Sequence, residues 1–189
     1  MIKLMDILNE AKVHRLQIFT PGTGGKDYGN FKLDPSKFPV GDKGGKLKVG
    51  IQMACVNKPK GGFWTSGYRK STKATDWSEL KRMKYPTWRT GMGAVFEIVG
   101  SPKLCVINNN KDYDKVLKKY INDVSGMGCA GGQFYLNWHA LAKDYDGFRI
   151  TYRAARDYIP GIHDWETEST VWFNMSKLEF LGTTKVWYI

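Results

Sequence analysis

Two glutamates one residue apart open the stretch of this chain richest in chemistry, Trp165-Glu166-Thr167-Glu168-Ser169-Thr170-Val171-Trp172-Phe173. On a strand, residues two apart point to one face, so both carboxylates would occupy one small region. Paired negative groups at a strand end suit the stabilisation of a cationic transition state or the positioning of a nucleophile. Their mutual repulsion also favours proton-transfer work by one of them. The alternative is an exposed strand end whose charge is neutralised by Arg149, Arg153 and Arg156.

A second candidate is Phe63-Trp64-Thr65-Ser66, directly after Gly61-Gly62. An aromatic face beside two hydroxyls can stack on a flat heteroaromatic ring and hydrogen-bond its substituents. Core packing on a short strand is the alternative. Lys58, Lys60, Arg69, Lys70 and Lys73 flank these aromatics. Such interleaving also fits single-stranded nucleic acid, where stacking and phosphate neutralisation cooperate.

Other chemistries find little support. His14, His139 and His163 occur with no G-x-S-x-G elbow and no H-E-x-x-H zinc helix. His139 sits beside an apolar helical stripe and reads as structural. Gly22-Thr23-Gly24-Gly25 lacks the Gly-Lys-Ser/Thr ending of a P-loop and completes no dinucleotide fingerprint. Cys55, Cys105 and Cys129 are an odd set without C-x-x-C spacing, which argues against a disulfide framework or a structural zinc. Cys105, inside Leu104-Cys105-Val106-Ile107, is expected to be a buried, inert thiol. No metal is expected.

The elements that must position these groups read as short strands and a few helices. Residues 1–12 have the spacing of a short amphipathic helix at Leu4, Ile7 and Leu8. Val13–Thr20 and Lys46–Met53 read as strands on either side of residues 21–45, a loop-like insertion rich in Gly, Lys, Asp and Pro. Asn57–Gly62 reads as a turn, and Phe63–Ser66 as a brief strand. Asp76-Trp77-Ser78-Glu79 has capping-box spacing. Gly93–Val99 and Lys103–Asn108 read as strands. Asn110 is placed to cap a helix that carries Tyr113, Val116, Leu117 and Tyr120 on one face. The glycine-rich run Gly126–Gly132 suits a loop. A second stripe, Trp138, Leu141, Ala142 and Tyr145, closes at Asp146-Gly147. A strand over Phe148–Tyr152, an irregular stretch over Arg156–Asp164 and a strand over Trp165–Phe173 follow, and Val186–Ile189 reads as a last strand. The sum is one α+β domain spanning residues 1–189, built of short, mostly antiparallel strands.

Composition sets the outer bounds. The chain has 189 residues, 42% of them hydrophobic, with 29 Lys or Arg against 18 Asp or Glu. That hydrophobic content excludes a disordered basic tail. No apolar run reaches the roughly 18–20 residues that cross a bilayer, so no membrane partner is expected. The N-terminus lacks a secretory cleavage pattern, and a cytoplasmic protein is expected. The net charge of +11 points to an anionic partner, or else serves solubility alone.

Taken in order, these pieces resemble the ADP-ribosyltransferase fold, in particular phage and bacterial mono-ADP-ribosyltransferases of the E-x-E type. The resemblance rests on Lys58-Pro59-Lys60-Gly61-Gly62-Phe63-Trp64-Thr65-Ser66, on Asn137-Trp138 with Ala142–Phe148, and on Trp165–Phe173. It spans Val13 to Phe173 in the order of parts, through short motifs. It implies a split-sheet scaffold that takes NAD+ as co-substrate. Glu168 would be the catalytic carboxylate, holding the nicotinamide ribose 2′-hydroxyl and stabilising oxocarbenium character. Glu166 would orient or deprotonate the acceptor. His14 or Arg15 would contact the dinucleotide's phosphates or ribose, only one of them facing the cleft. Trp64, Thr65 and Ser66 would shape the nicotinamide pocket, and Tyr158 and Trp165 would belong to a target-recognition loop. The second motif reads Trp-Thr-Ser where the family has Ser-Thr-Ser.

The resemblance therefore implies an NAD+-dependent mono-ADP-ribosyltransferase or NAD+ glycohydrolase, phage-encoded and acting in the host cytoplasm on a protein or nucleic acid. The alternative is a basic nucleic-acid-binding or virion-associated protein without catalysis on the same scaffold. Two phosphates of NAD+ do not account for a charge of +11, so the surplus favours an anionic acceptor.

Overall fold

The computed structural model describes residues 16–19, 36, 38, 41–42, 44–51, 57–68, 75–77, 79, 90–122, 135–157, 159, 161–162 and 165–187. The helix expected over residues 1–12, most of the loop at 21–45, the glycine-rich run at 126–132, Cys55 and Cys129 lie outside the described residues.

In chain order the strands are β1 (Leu16–Phe19), β2 (Val49–Ile51), β3 (Pro59–Gly61), β4 (Phe63–Gly67), β5 (Thr90–Ile98), β6 (Leu104–Ile107), β7 (Ile121–Asn122), β8 (Tyr135–Leu136), β9 (Gly147–Ile150), β10 (Ser169–Trp172) and β11 (Leu178–Trp187). The helices are α1 (Asn110–Tyr120), α2 (Trp138–Asp144) and α3 (Tyr152–Arg156). Seven strands join in one sheet in the order β11-β5-β1-β4-β10-β9-β6. Every pair in it is antiparallel except β6 with β9. The architecture is α+β and mainly antiparallel, as the pattern of short strands implies. Among the described residues no helix is long and apolar enough to cross a membrane.

Alternation along the strands divides the core between the two sides of the sheet. Cys105, Ile107, Phe148, Ile150 and Val171 pack in one cluster with Tyr113 and Tyr120 of α1 and Trp138 and Leu141 of α2. Phe63, Ala94, Phe96 and Trp172 form a second cluster, with Phe38 edge-on to both phenylalanines. The expected stripes therefore do face the core, with Val116 and Leu117 partly buried against it. Cys105 is buried, as its apolar run predicts.

Several local readings shift. The cap of α1 is Asn109, whose side chain accepts from the Asp112 backbone N–H at 3.2 Å, one residue before Asn110. The expected turn at Asn57–Gly62 contains β3, which pairs with β2, because Pro59 at a strand start sacrifices no ladder bond. Gly61 and Gly62 turn this hairpin arm into β4 at φ 87° and 71°, a region glycine enters without steric cost. Asp76 is already helical, and the Glu79 N–H bonds the Thr75 carbonyl at 3.0 Å, so the helix starts on the first residue of the expected box and Thr75 takes the cap position. Tyr152 opens α3 instead of closing a strand, because the Thr151 hydroxyl caps the Ala154 N–H at 3.4 Å. The long edge strand β11 precedes the expected C-terminal strand by eight residues and absorbs a bulge between Phe180 and Gly182.

Candidate functional site

β4 lies between β1 and β10. Thr65 pairs with Thr170, Val171 with Trp64 and Trp172 with Phe63, which brings the residue just before β10 to the far end of β4. That residue is Glu168, 4% exposed. Its Oε2 accepts from the Ser66 hydroxyl at 3.0 Å and from the Gly67 backbone N–H at 2.8 Å. The same hydroxyl lies 3.1 Å from the Glu168 carbonyl oxygen. Oε1 instead lies 3.2 Å from Nε of Arg149. Arg149 stands on β9 directly opposite Thr170, so a row Thr65, Thr170, Arg149 crosses three strands. The Thr170 hydroxyl is buried and has no hydrogen-bond partner among the described residues.

A buried carboxylate is costly unless it is paired and hydrogen-bonded. Glu168 has both kinds of support, one kind on each oxygen. Gly67 also lies close against the carboxylate: a Cβ built there would have the Glu168 carboxyl atoms as its three nearest neighbours, at 3.4–3.7 Å, an ordinary van der Waals contact. Such an arrangement can accept a hydroxyl or stabilise positive charge developing on a bound molecule.

The two glutamates do not act as a pair. Glu166 is exposed whereas Glu168 is buried, and the ladder begins only at Ser169, so strand alternation does not govern them. Of the three arginines that could neutralise them, Arg149 alone reaches Glu168. Arg153 lies 3.7 Å from Asp157, and Arg156 stacks over the Tyr152 ring at 5.5 Å.

Trp64, Thr65 and Ser66 separate by face. Trp64 is half-buried and its ring lies 4.8 Å from that of Trp165, inside the helix-side cluster. Thr65 is buried, and its hydroxyl accepts from the Trp172 indole N–H at 2.8 Å, which ties it to the opposite cluster. Only Ser66 touches the carboxylate. Trp165 is 2% exposed, stacks on Trp138 at 6.2 Å and 28°, and donates its indole N–H to the Asn57 carbonyl at 3.1 Å. It is a core residue and not part of an exposed recognition loop, because its large apolar ring fills the space between β4 and α2. His14, Arg15 and Tyr158 lie outside the described residues. The strand that follows His14 and Arg15 begins at the same end of β4 as Glu168, since Gln17 pairs with Gly67.

Two contributors were not visible in the sequence reading. The Gly67 N–H becomes a ligand of Glu168 only through the register of β4 and β10. Asn57, buried, joins three distant segments: its amide donates to the Tyr113 hydroxyl at 2.9 Å, its Oδ1 accepts from the Leu136 N–H at 3.2 Å, and its carbonyl holds Trp165. An asparagine followed by Lys-Pro reads as a turn, and no local signal distinguishes a hub from a turn residue.

Comparison of the chain with protein-family models, with characterised proteins and with solved structures gives no match. Among the described residues no group of three or more His, Cys, Asp or Glu side chains is arranged around a metal position.

Proposed function

We propose that this protein is an NAD+-dependent mono-ADP-ribosyltransferase or NAD+ glycohydrolase in which Glu168 is the catalytic carboxylate. The observation that carries the reading is the hydrogen bond from Ser66 on β4 to Glu168 ahead of β10, with β1 flanking β4 on its other edge. Three motifs that the sequence resemblance joins only by order are thereby neighbours in space: the strand after His14-Arg15, the Trp-Thr-Ser strand and the E-x-E segment.

The chemistry follows from the carboxylate. As the bond between nicotinamide nitrogen and ribose C1′ breaks, nicotinamide leaves with the electron pair and positive charge spreads over C1′ and the ring oxygen. Glu168, fixed by Ser66 and Gly67, takes the ribose 2′-hydroxyl as a hydrogen-bond donor and stabilises that charge. Its orientation is set before the reaction, so little reorganisation is needed in the transition state. A nucleophile on the acceptor, or water, then forms the new bond at C1′ and loses its proton. On this reading the exposed carboxylate of Glu166, two residues before Glu168, takes that proton from the acceptor.

The test is nicotinamide release from labelled NAD+, with and without a mixture of acceptor proteins and RNA. Glu168→Gln keeps the shape and removes the charge, and a loss of about 10²–10³-fold is expected. Release undiminished by this substitution would sink the mechanism.

One observation favours a second reading. Both oxygens of Glu168 already have partners and the side chain is buried, which also fits a structural role in a non-catalytic, nucleic-acid-binding or virion-associated protein. Tyr152, Arg153 and Arg156 are exposed on α3 and supply stacking and charge for such a partner. Binding of nucleic acid that weakens steeply with salt, with no nicotinamide release, identifies this case.

A further inference from the structure

We propose that Arg149 is the positioning residue of the site, holding Oε1 of Glu168 so that the carboxylate meets the ribose hydroxyl in one fixed orientation; this rests on the ADP-ribosyl-transfer reading above. The two oxygens of Glu168 are held by different chemistry. Oε2 accepts hydrogen bonds from two neutral donors on β4, and Oε1 faces the Arg149 Nε on β9 at 3.2 Å, a charge contact that lacks hydrogen-bond geometry. Contacts from two strands on opposite sides of β10 restrict rotation of the carboxyl group in a way that donors from β4 alone would not.

Arg149 is itself well anchored. Its backbone is in register with Thr170 on one side and Val106 on the other, inside a three-strand unit. Its side chain is 13% exposed and that of Glu168 6%, so the pair is shielded from solvent and from salt. Among the described residues no other cation is paired with Glu168: Arg153 is turned to Asp157 and Arg156 to Tyr152. Without Arg149 a buried negative charge would lose its counter-charge, and only the β4 donors on Oε2 would hold the carboxyl group.

A role exercised through Glu168 has a signature in a double-mutant cycle. The experiment measures kcat and KM for NAD+ in wild type, Arg149→Met, Arg149→Lys, Glu168→Gln and the Arg149→Met/Glu168→Gln double variant. Arg149→Met should lower kcat by about 100-fold, the scale of a misplaced catalytic group, with KM little changed. Arg149→Lys should regain part of that loss, since it restores the positive charge but not the placement of the guanidinium. In the Glu168→Gln background, Arg149→Met should cost nothing further. If Arg149→Met proves unfolded, the lysine variant and the uncharged double variant carry the comparison. Losses that multiply in the double variant, or an Arg149→Met enzyme as fast as wild type, overturn the positioning role while leaving the reaction intact. A wild-type protein that releases no nicotinamide refutes the reaction itself, and the role of Arg149 falls with it.

Discussion

Asn57→Ala should be among the most damaging small substitutions in this fold, although Asn57 lies in a segment that reads as a turn. The side chain is 4% exposed and makes two buried bonds, to the Tyr113 hydroxyl at 2.9 Å and to the Leu136 N–H at 3.2 Å. Alanine removes both partners at once and leaves a hydroxyl and an amide N–H without them in the interior. Each such orphan costs about 1–3 kcal/mol, so the expected loss for the two is about 2–6 kcal/mol. For a chain of this length that corresponds to a fall of roughly 4–24 °C in Tm. The Trp165 indole keeps its bond, because it goes to the Asn57 backbone carbonyl. Tryptophan packing should therefore survive at low denaturant while the transition moves. Urea unfolding followed by fluorescence gives the midpoint, and the slope should stay constant. A second readout comes from Tyr113, whose ionisation burial has pushed up to about 12, with Asn57 pulling the other way. In the alanine variant the phenol should ionise later still in an alkaline absorbance titration. A stability loss below about 0.5 kcal/mol, the range of ordinary surface substitutions, would refute the role of Asn57 as a hub.

Burial raises the Cys105 thiol and the Tyr113 hydroxyl each to about 12, from ordinary values of 9.0 and 10.0. A raised folded value means that the unfolded chain releases its proton first, so this contribution to stability is full below pH 9 and drains away as pH rises towards 12. Urea midpoints measured from pH 8 upward should fall across that window, and an unchanged midpoint would refute the burial of these groups. Gly67→Ala places a methyl against the Glu168 carboxyl at 3.4 Å, an ordinary contact that leaves the fold intact. If the proposed transfer holds, nicotinamide release should nevertheless drop by at least about 10-fold, because the added methyl stands against the catalytic carboxylate; an unchanged rate would show that substrate does not approach on the Gly67 side.

What was legible in the sequence divides along a physical line. Helical stripes and strand alternation are local, so Tyr113–Tyr120, Trp138–Tyr145 and Phe63–Ser66 emerge with nearly their observed bounds. Strand pairing is not local. Nothing in the alternation of Lys103–Asn108 says that it ends on a sheet edge with four strands between it and β5, or that it runs parallel to β9. The E-x-E segment shows the same limit. Its spacing suggests two carboxylates on one face, yet the ladder starts one residue after Glu168, and Glu166 remains in solvent. The tryptophans mislead for a related reason: an aromatic beside hydroxyls looks like a platform, and whether another ring already covers it depends on the three-dimensional neighbours. Trp165 covers Trp64.

The polar row Thr65, Thr170, Arg149, with Glu168 beside it, is expensive in a place where apolar side chains would do. Phe63 and Trp172, one step along the same two strands, show that this side of the sheet can be filled with aromatic rings. Exchanging a buried ion pair for well-packed apolar groups is often neutral or stabilising by about 1–4 kcal/mol, so such a pair is weak evidence of a need for stability. Here the pair sits at the strand end where β1, β4 and β10 meet, with one threonine hydroxyl still unpartnered among the described residues. A structural role predicts that the uncharged Arg149→Met/Glu168→Gln variant loses stability as each single variant does. A site held for chemistry predicts the reverse: the double variant melts at or above the wild-type temperature, while nicotinamide release is lost.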